Sequence, residues 1–143
     1  RVKNFIKGTF CFTYGDGLAN INIQNLMDYH KKSKKKATIS AVKPPGRFGA
    51  LELEGDKVIH FCEKPKGDGF WINGGFFVLE PSIFDLISDD FCIWEQEPLK
   101  KLSNDGELNA YKHSGFWQPM DTLRDKNNLE SLWSNDQAPW KLW

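Results

Sequence analysis

Apolar positions along the chain recur with a period of two in some stretches and near 3.6 in others, with boundaries at Gly, Pro and Asn-Asp clusters. Thr9 to Tyr14 alternates β-branched and aromatic residues and stops at Gly15-Asp16-Gly17, which predicts a strand ending in a turn. Ile23, Leu26, Met27 and His30 fall at helical spacing behind Asn22, so a helix capped by Asn22 is expected to run to about Ser33. Ala37 to Val42 reads as a second short strand, halted at Pro44-Pro45-Gly46. Gly49 to Leu53 and Val58 to Cys62, joined by Glu54-Gly55-Asp56-Lys57, predict a hairpin that Glu63-Lys64-Pro65 closes. Lys66 to Gly69 reads as a loop.

Trp71 to Leu79 is expected as a strand carrying the Gly74-Gly75 pair. Pro81 fits the first position of a short helix through Ile87, and Pro98 to Ser103 predicts another, ended by Asn104-Asp105-Gly106. Leu108 to His113 and Gly115 to Gln118 follow as short strands. A last helix is expected after Asp121, with Leu129, Leu132 and Trp133 on its buried side, and a tail from Ser134 whose apolar anchors can dock elsewhere. Strands and helices alternating over short links predict an α/β fold, and the hairpins make its sheet mixed, with flanking helices. No internal repeat and no strong linker divides the chain, so residues 1–143 read as one domain.

The chain of 143 residues is long enough for a substantial core, and its 14% aromatic content, with six Trp, argues against disorder. Nineteen basic and nineteen acidic residues cancel, which gives no global field toward a nucleic-acid polymer or an anionic membrane. No apolar stretch approaches the roughly 20 residues that span a bilayer, and Arg1-Val2-Lys3-Asn4 does not read as a signal peptide, so a cytoplasmic location is expected. The lysines from Lys31 to Lys36 read as a solvated helix end that complements the dipole. Cys11, Cys62 and Cys92 have neither disulfide nor zinc spacing and are expected as reduced thiols.

Two aspartates fall at element boundaries. Asp16 follows a strand between two glycines, an arrangement that lets a carboxylate hold Mg²⁺ against phosphate oxygens but also makes an ordinary turn. Asp121 lies between a short aromatic strand and a helix. There Thr122 and Asp125 have capping-box spacing, and Asp121 is itself a candidate cap. Mg²⁺ needs only one or two carboxylates, whereas His30, His60 and His113 lack metal-ligand spacing. Glu63-Lys64-Pro65 suits a sugar phosphate on the lysine and sugar hydroxyls on the glutamate, or merely a solvated charge pair. Around Trp71 to Phe76, the aromatic rings read as packing residues and Asn73 and Gly74 as pocket lining.

The order of these motifs is more specific than any one of them. Tyr14-Gly15-Asp16, Phe48-Gly49, Glu63-Lys64-Pro65, Asn73-Gly74-Gly75-Phe76 and Trp117 followed by Asp121 resemble, in sequence, the C-terminal half of the sugar-1-phosphate nucleotidyltransferases. Lys43 to Gly49 and Phe116 to Lys126 are similar to the glucose-1-phosphate cytidylyltransferase branch in particular, and the resemblance covers nearly the whole chain.

That resemblance implies the C-terminal portion of a Rossmann-like nucleotidyltransferase fold. It also implies a Mg²⁺-dependent transfer of a cytidylyl group from CTP to glucose 1-phosphate. By residue, it implies Asp16 and Asp121 as metal ligands, Lys64 as sugar-phosphate binder, and Tyr14, Gly15, Gly49, Glu63, Asn73 and Gly74 as substrate contacts. The family's Gly-Thr-Arg segment and nearby lysine, which cradle the triphosphate, would precede Arg1. An upstream part is therefore expected to be missing, and this chain alone is expected to be inactive. A homo-oligomer is a further expectation, from the aromatic tail and Trp94. The alternatives are a glycosyltransferase-like enzyme acting on a nucleotide sugar and a non-catalytic sugar-binding or assembly module.

Overall fold

A computed structural model describes residues 1–44, 50–62 and 70–142, and contacts divide them into two compact units. In chain order the elements are β1 (Phe10–Thr13), β2 (Gly17–Ala19), α1 (Ile23–Ser33), β3 (Ala37–Val42), β4 (Ala50–Glu54), β5 (Lys57–Cys62), β6 (Ile72–Leu79), α2 (Glu97–Asn104), β7 (Leu108–His113), β8 (Trp117–Pro119) and α3 (Leu123–Ser134). The expected roles of Gly49, Glu63 and Lys64, and the expected loop from Lys66 to Gly69, lie outside the described residues.

The first unit comprises Arg1–Gly15, Ile21–Ala41 and Asn73–Lys112. Its strands belong to a four-stranded sheet of order β1-β6-β3-β7, in which β1 runs antiparallel to β6 with Phe10 opposite Leu79 and Thr13 opposite Phe76. The non-consecutive order means that the chain crosses over, as an α/β layer fold requires. Ala37, Phe77, Leu79, Ile83 and Leu102 form the core, each at most 2% exposed. Full burial of a Leu or Phe contributes about 1.5–3 kcal/mol, so these few side chains dominate the unit's stability.

Helix α1 begins where the sequence predicts, with Asn22 Oδ1 accepting from the Asn25 N–H at 2.9 Å. It buries Leu26 and His30 against the sheet. His30 is 1% exposed, a position that a polar ring tolerates only when its nitrogens are bonded. Its Nδ1 lies 2.9 Å from Thr38 Oγ1 and its Nε2 3.1 Å from Glu80 Oε1. Thr9 Oγ1 donates to the same carboxylate at 2.7 Å, so one network ties α1 to β3 and to the residues flanking β6 and β1.

The helix expected from Pro81 to Ile87 is a 3-10 turn over Pro81–Leu86. Bonds from the Ile83 N–H to Glu80 O and from the Ile87 N–H to Phe84 O wind it at three residues per turn.

The second unit comprises Asp16–Asn20, Val42–Ile72 and His113–Trp143. Strands β4 and β5 make the expected hairpin, with a register shift at Glu52/Leu53. Strand β2 does not follow from the sequence pattern. It exists because β8 pairs with it antiparallel, Gly17 opposite Pro119, Leu18 opposite Gln118 and Ala19 opposite Trp117.

On α3 the expected burial holds for Leu129, at 4% exposed, but not for Trp133, which is 49% exposed beneath Lys141 Nζ at 5.2 Å from the ring centroid. The tail docks through Trp140, whose ring lies 5.4 Å from that of Phe116. Trp71, expected as a packing residue, is 36% exposed with Lys43 Nζ 5.4 Å above its ring, so a cation contact takes the place of core packing. Among the described residues no helix is long and apolar enough to cross a membrane.

Backbone geometry sets two expectations for stability. Lys34 closes α1 in the left-handed region at φ 54, where a side chain costs about 1 kcal/mol relative to glycine. Lys34→Gly is therefore expected to raise the thermal midpoint by a few degrees in a circular-dichroism melt, and an unchanged or lower midpoint contradicts the strain. A methyl group on Gly115 would sit 2.6 Å from His113 Cε1 and against Asn20 Oδ1, whereas one on Gly8 meets nothing. Gly115→Ala should destabilise by about 1–3 kcal/mol in urea, with Gly8→Ala near neutral.

Candidate functional site

Asp16 and Asp121, about a hundred residues apart in sequence, emerge at the same end of the β2–β8 ladder. Beyond the last pair, Gly17 with Pro119, the Met120 N–H donates to Asp16 O at 2.7 Å. At the other end the Asn20 N–H donates to Phe116 O at 3.1 Å, so five consecutive cross-strand steps hold the register. Asp16 is therefore paired with Met120, and Asp121 follows Met120 directly along the chain.

Both aspartates are exposed. The candidate donors at this ladder end are two carboxylates, and among the described residues no group of three or more His, Cys, Asp and Glu is arranged to hold a metal. Two carboxylates open to solvent suit Mg²⁺, which completes its octahedron with substrate phosphate oxygens and water.

Capping of α3 does not fall to Asp121. Thr122 is the N-cap, its Oγ1 accepting from the Asp125 N–H at 3.1 Å, and Asp125 Oδ2 accepts in return from the Thr122 N–H at 3.1 Å. Asp121 thus stands one residue before the cap, with the helix's unpaired N–H groups ahead of it. The sequence spacing of Thr122 and Asp125 announces this box. What it does not announce is Gln118, whose Nε2 donates to Asp125 Oδ1 at 3.0 Å and to Pro119 O at 3.3 Å.

Two other expected site residues, Tyr14 and Asn73, meet in the first unit. The Tyr14 N–H donates to Gly75 O at 2.9 Å, Asn73 Nδ2 donates to Tyr14 Oη at 3.1 Å, and the Gly75 N–H donates to Asn73 Oδ1 at 2.8 Å. Gly75 has φ 77, and a Cβ there would lie 2.9 Å from Tyr14 Cδ2, so this close packing requires glycine. Gly74 is buried within β6, Asn73 is half-buried, and Gly15 is exposed. Tyr14, Asn73 and Gly75 are therefore one bonded group, while Asp16 is bonded through its carbonyl to Met120, the chain neighbour of Asp121.

A hollow of about 570 Å³ in the second unit was not legible in the sequence. Leu18, Met120, Leu129, Trp133 and Trp140 line it, which explains the exposure of Trp133.

Comparison with known proteins bears on the whole chain. It is 58% identical over 145 aligned residues to the glucose-1-phosphate cytidylyltransferase of Salmonella typhi and to that of Salmonella typhimurium, alignments that cover 100% of this chain and 56% of either relative. The chain thus spans little more than half the length of these curated relatives. Among solved structures it is similar in fold to HddC from Yersinia pseudotuberculosis, with a TM-score of 0.63 at 21% identity over 89% of this chain and 56% of that one. The fold is accordingly the mixed α/β, Rossmann-like arrangement that the motif order implies. The family model described as nucleotidyl transferase matches residues 2–122, and the chain is a member of that family.

Proposed function

We propose that this chain supplies the metal-holding carboxylates and the sugar-phosphate contacts of a longer enzyme that transfers a cytidylyl group from CTP to glucose 1-phosphate, releasing pyrophosphate. The observation that carries the reading is the β2–β8 pairing, which brings the chain at Asp16 and at Met120-Asp121 to one ladder end. Family membership and 58% identity to the Salmonella cytidylyltransferases support the choice of reaction and substrates.

In this reading a phosphate oxygen of glucose 1-phosphate attacks the α-phosphorus of CTP, a phosphorus–oxygen bond forms, and the bond to the leaving pyrophosphate breaks. Asp16 and Asp121 would hold a Mg²⁺, which when bound would supply charge neutralisation to the phosphates. Asp16 and Asp121 hold their carboxylates toward the reacting phosphates, and Lys64 binds the phosphate of the sugar. Glu63, Asn73, Gly49 and Gly74 accept the sugar's hydroxyl edges and faces, with Tyr14 and Gly15 completing the substrate contacts. No side chain here acts as a nucleophile, so alignment and charge neutralisation carry the rate. The cytoplasm, where nucleoside triphosphates are abundant, is the proposed compartment, and a homo-oligomer the proposed assembly.

The test measures pyrophosphate release from CTP and glucose 1-phosphate with Mg²⁺, in the protein extended to its relatives' full length. Asp16→Asn and Asp121→Asn are each expected to lower kcat on the order of a hundredfold with an unchanged circular-dichroism spectrum. Lys64→Ala is expected to raise KM for glucose 1-phosphate. Turnover within threefold of wild type in both aspartate variants removes the metal assignment, and inactivity of the extended protein with every nucleoside triphosphate removes the reaction.

A further inference from the structure

We propose that Gln118 and Asp125 are positioning residues that set Asp121 for cation binding, an inference that rests on the proposed metal role of Asp121. Asp121 lies in an exposed turn, and the backbone on either side of it is held. On the upstream side, Gln118 is locked in the ladder opposite Leu18, and the Met120 N–H is bonded to Asp16 O at 2.7 Å. On the downstream side stands the cap residue Thr122.

The Asp125 carboxylate joins the two sides. Its Oδ2 accepts from the Thr122 N–H at 3.1 Å and from Thr122 Oγ1 at 2.8 Å, and its Oδ1 accepts from Gln118 Nε2 at 3.0 Å. For its part in the capping box, the Asp125 carboxylate needs only the bond from the Thr122 N–H. The Gln118 bond is additional to that box. It spans the turn that carries Asp121 and ties the last paired strand residues to the first turn of α3. The half-buried Gln118 and Asp125 form this bridge where water competes less than at the exposed aspartates.

A carboxylate whose backbone is held before binding loses less freedom when it takes a cation, and partners behind metal ligands commonly change affinity 10- to 100-fold. The bridge also has a defined polarity, an amide donor on Gln118 and a carboxylate acceptor on Asp125. Gln118→Glu places two carboxylates face to face and breaks it. Gln118→Met removes the donor without adding charge. The double variant Q118E/D125N rebuilds the bond with donor and acceptor exchanged, at the wild-type net charge, while the amide oxygen introduced at position 125 still accepts from Thr122.

The experiment titrates Mn²⁺ into the full-length protein, reading free Mn²⁺ by electron paramagnetic resonance, beside thermal melts and the Mg²⁺ concentration that half-activates pyrophosphate release. Q118E and Q118M are expected to weaken Mn²⁺ binding about tenfold and to raise the half-activating Mg²⁺ alike, with KM for glucose 1-phosphate within twofold. Q118E/D125N is expected to return to within threefold of wild type. A purely structural role would lower the melting temperature and leave Mn²⁺ affinity within twofold, which overturns the proposal. So does a double variant as weak as Q118E. Asp121→Asn separates the two readings. If it weakens Mn²⁺ binding while Q118E does not, the bridge alone fails. If it leaves Mn²⁺ binding unchanged, the metal role and the bridge fail together.

Discussion

The three-residue ladder between β2 and β8 is the constraint on which the candidate site depends. Neither strand has a stability of its own. A strand of three residues offers few bonds, and isolated two-stranded pairs are marginal in water. What holds this pair is the continuation of its hydrogen bonding at both ends, into Asp16 with Met120 and Asn20 with Phe116, together with the close packing at Gly115. The aspartates lie just past the end of this ladder, so a slip of register would separate them as well as exchange the faces of Leu18 and Gln118.

In the first unit, the buried polar side chains of His30, Thr38 and Ser40 are each hydrogen-bonded. His30 and Thr38 bond each other within the core, Glu80 takes the remaining ring nitrogen, and Ser40 Oγ accepts from the Phe76 N–H at 3.2 Å. A buried group left without its partner costs about 1–3 kcal/mol, so these bonds favour one seating of α1 on the sheet over its neighbours. Tyr14, Asn73 and Gly75 repeat the pattern at the end of β1, where the glycine's positive φ makes room for the tyrosine ring.

Sequence reading recovered the long elements closely. α1 and β3 have the expected bounds, because Asn22 caps and an uninterrupted apolar run are local signals. The capping box on α3 was legible for the same reason, since Thr122 and Asp125 interact across a single turn. It was less successful where the partner is remote. Trp133 has the helical spacing of a buried residue yet lines a hollow, and Trp71 lies under a lysine instead of in the core. The stretch from Pro81 has the start signal of a helix but winds as a 3-10 turn.

Order along the chain determined the most about identity. Tyr14-Gly15-Asp16, Asn73-Gly74-Gly75-Phe76 and Trp117 with Asp121 stand in the sequence of a known family, and such an order survives whatever the fold does. Local chemistry likewise determined the caps, the hairpin turn and the alternation of strands and helices. Tertiary structure alone decided that Gly17 to Ala19 is a strand, that Asp16 and Asp121 share a ladder end, and that Gln118 reaches Asp125. The physical reason is that each of these rests on hydrogen bonds to a partner chosen by the fold. A short strand or a single amide carries no periodicity from which that partner can be read.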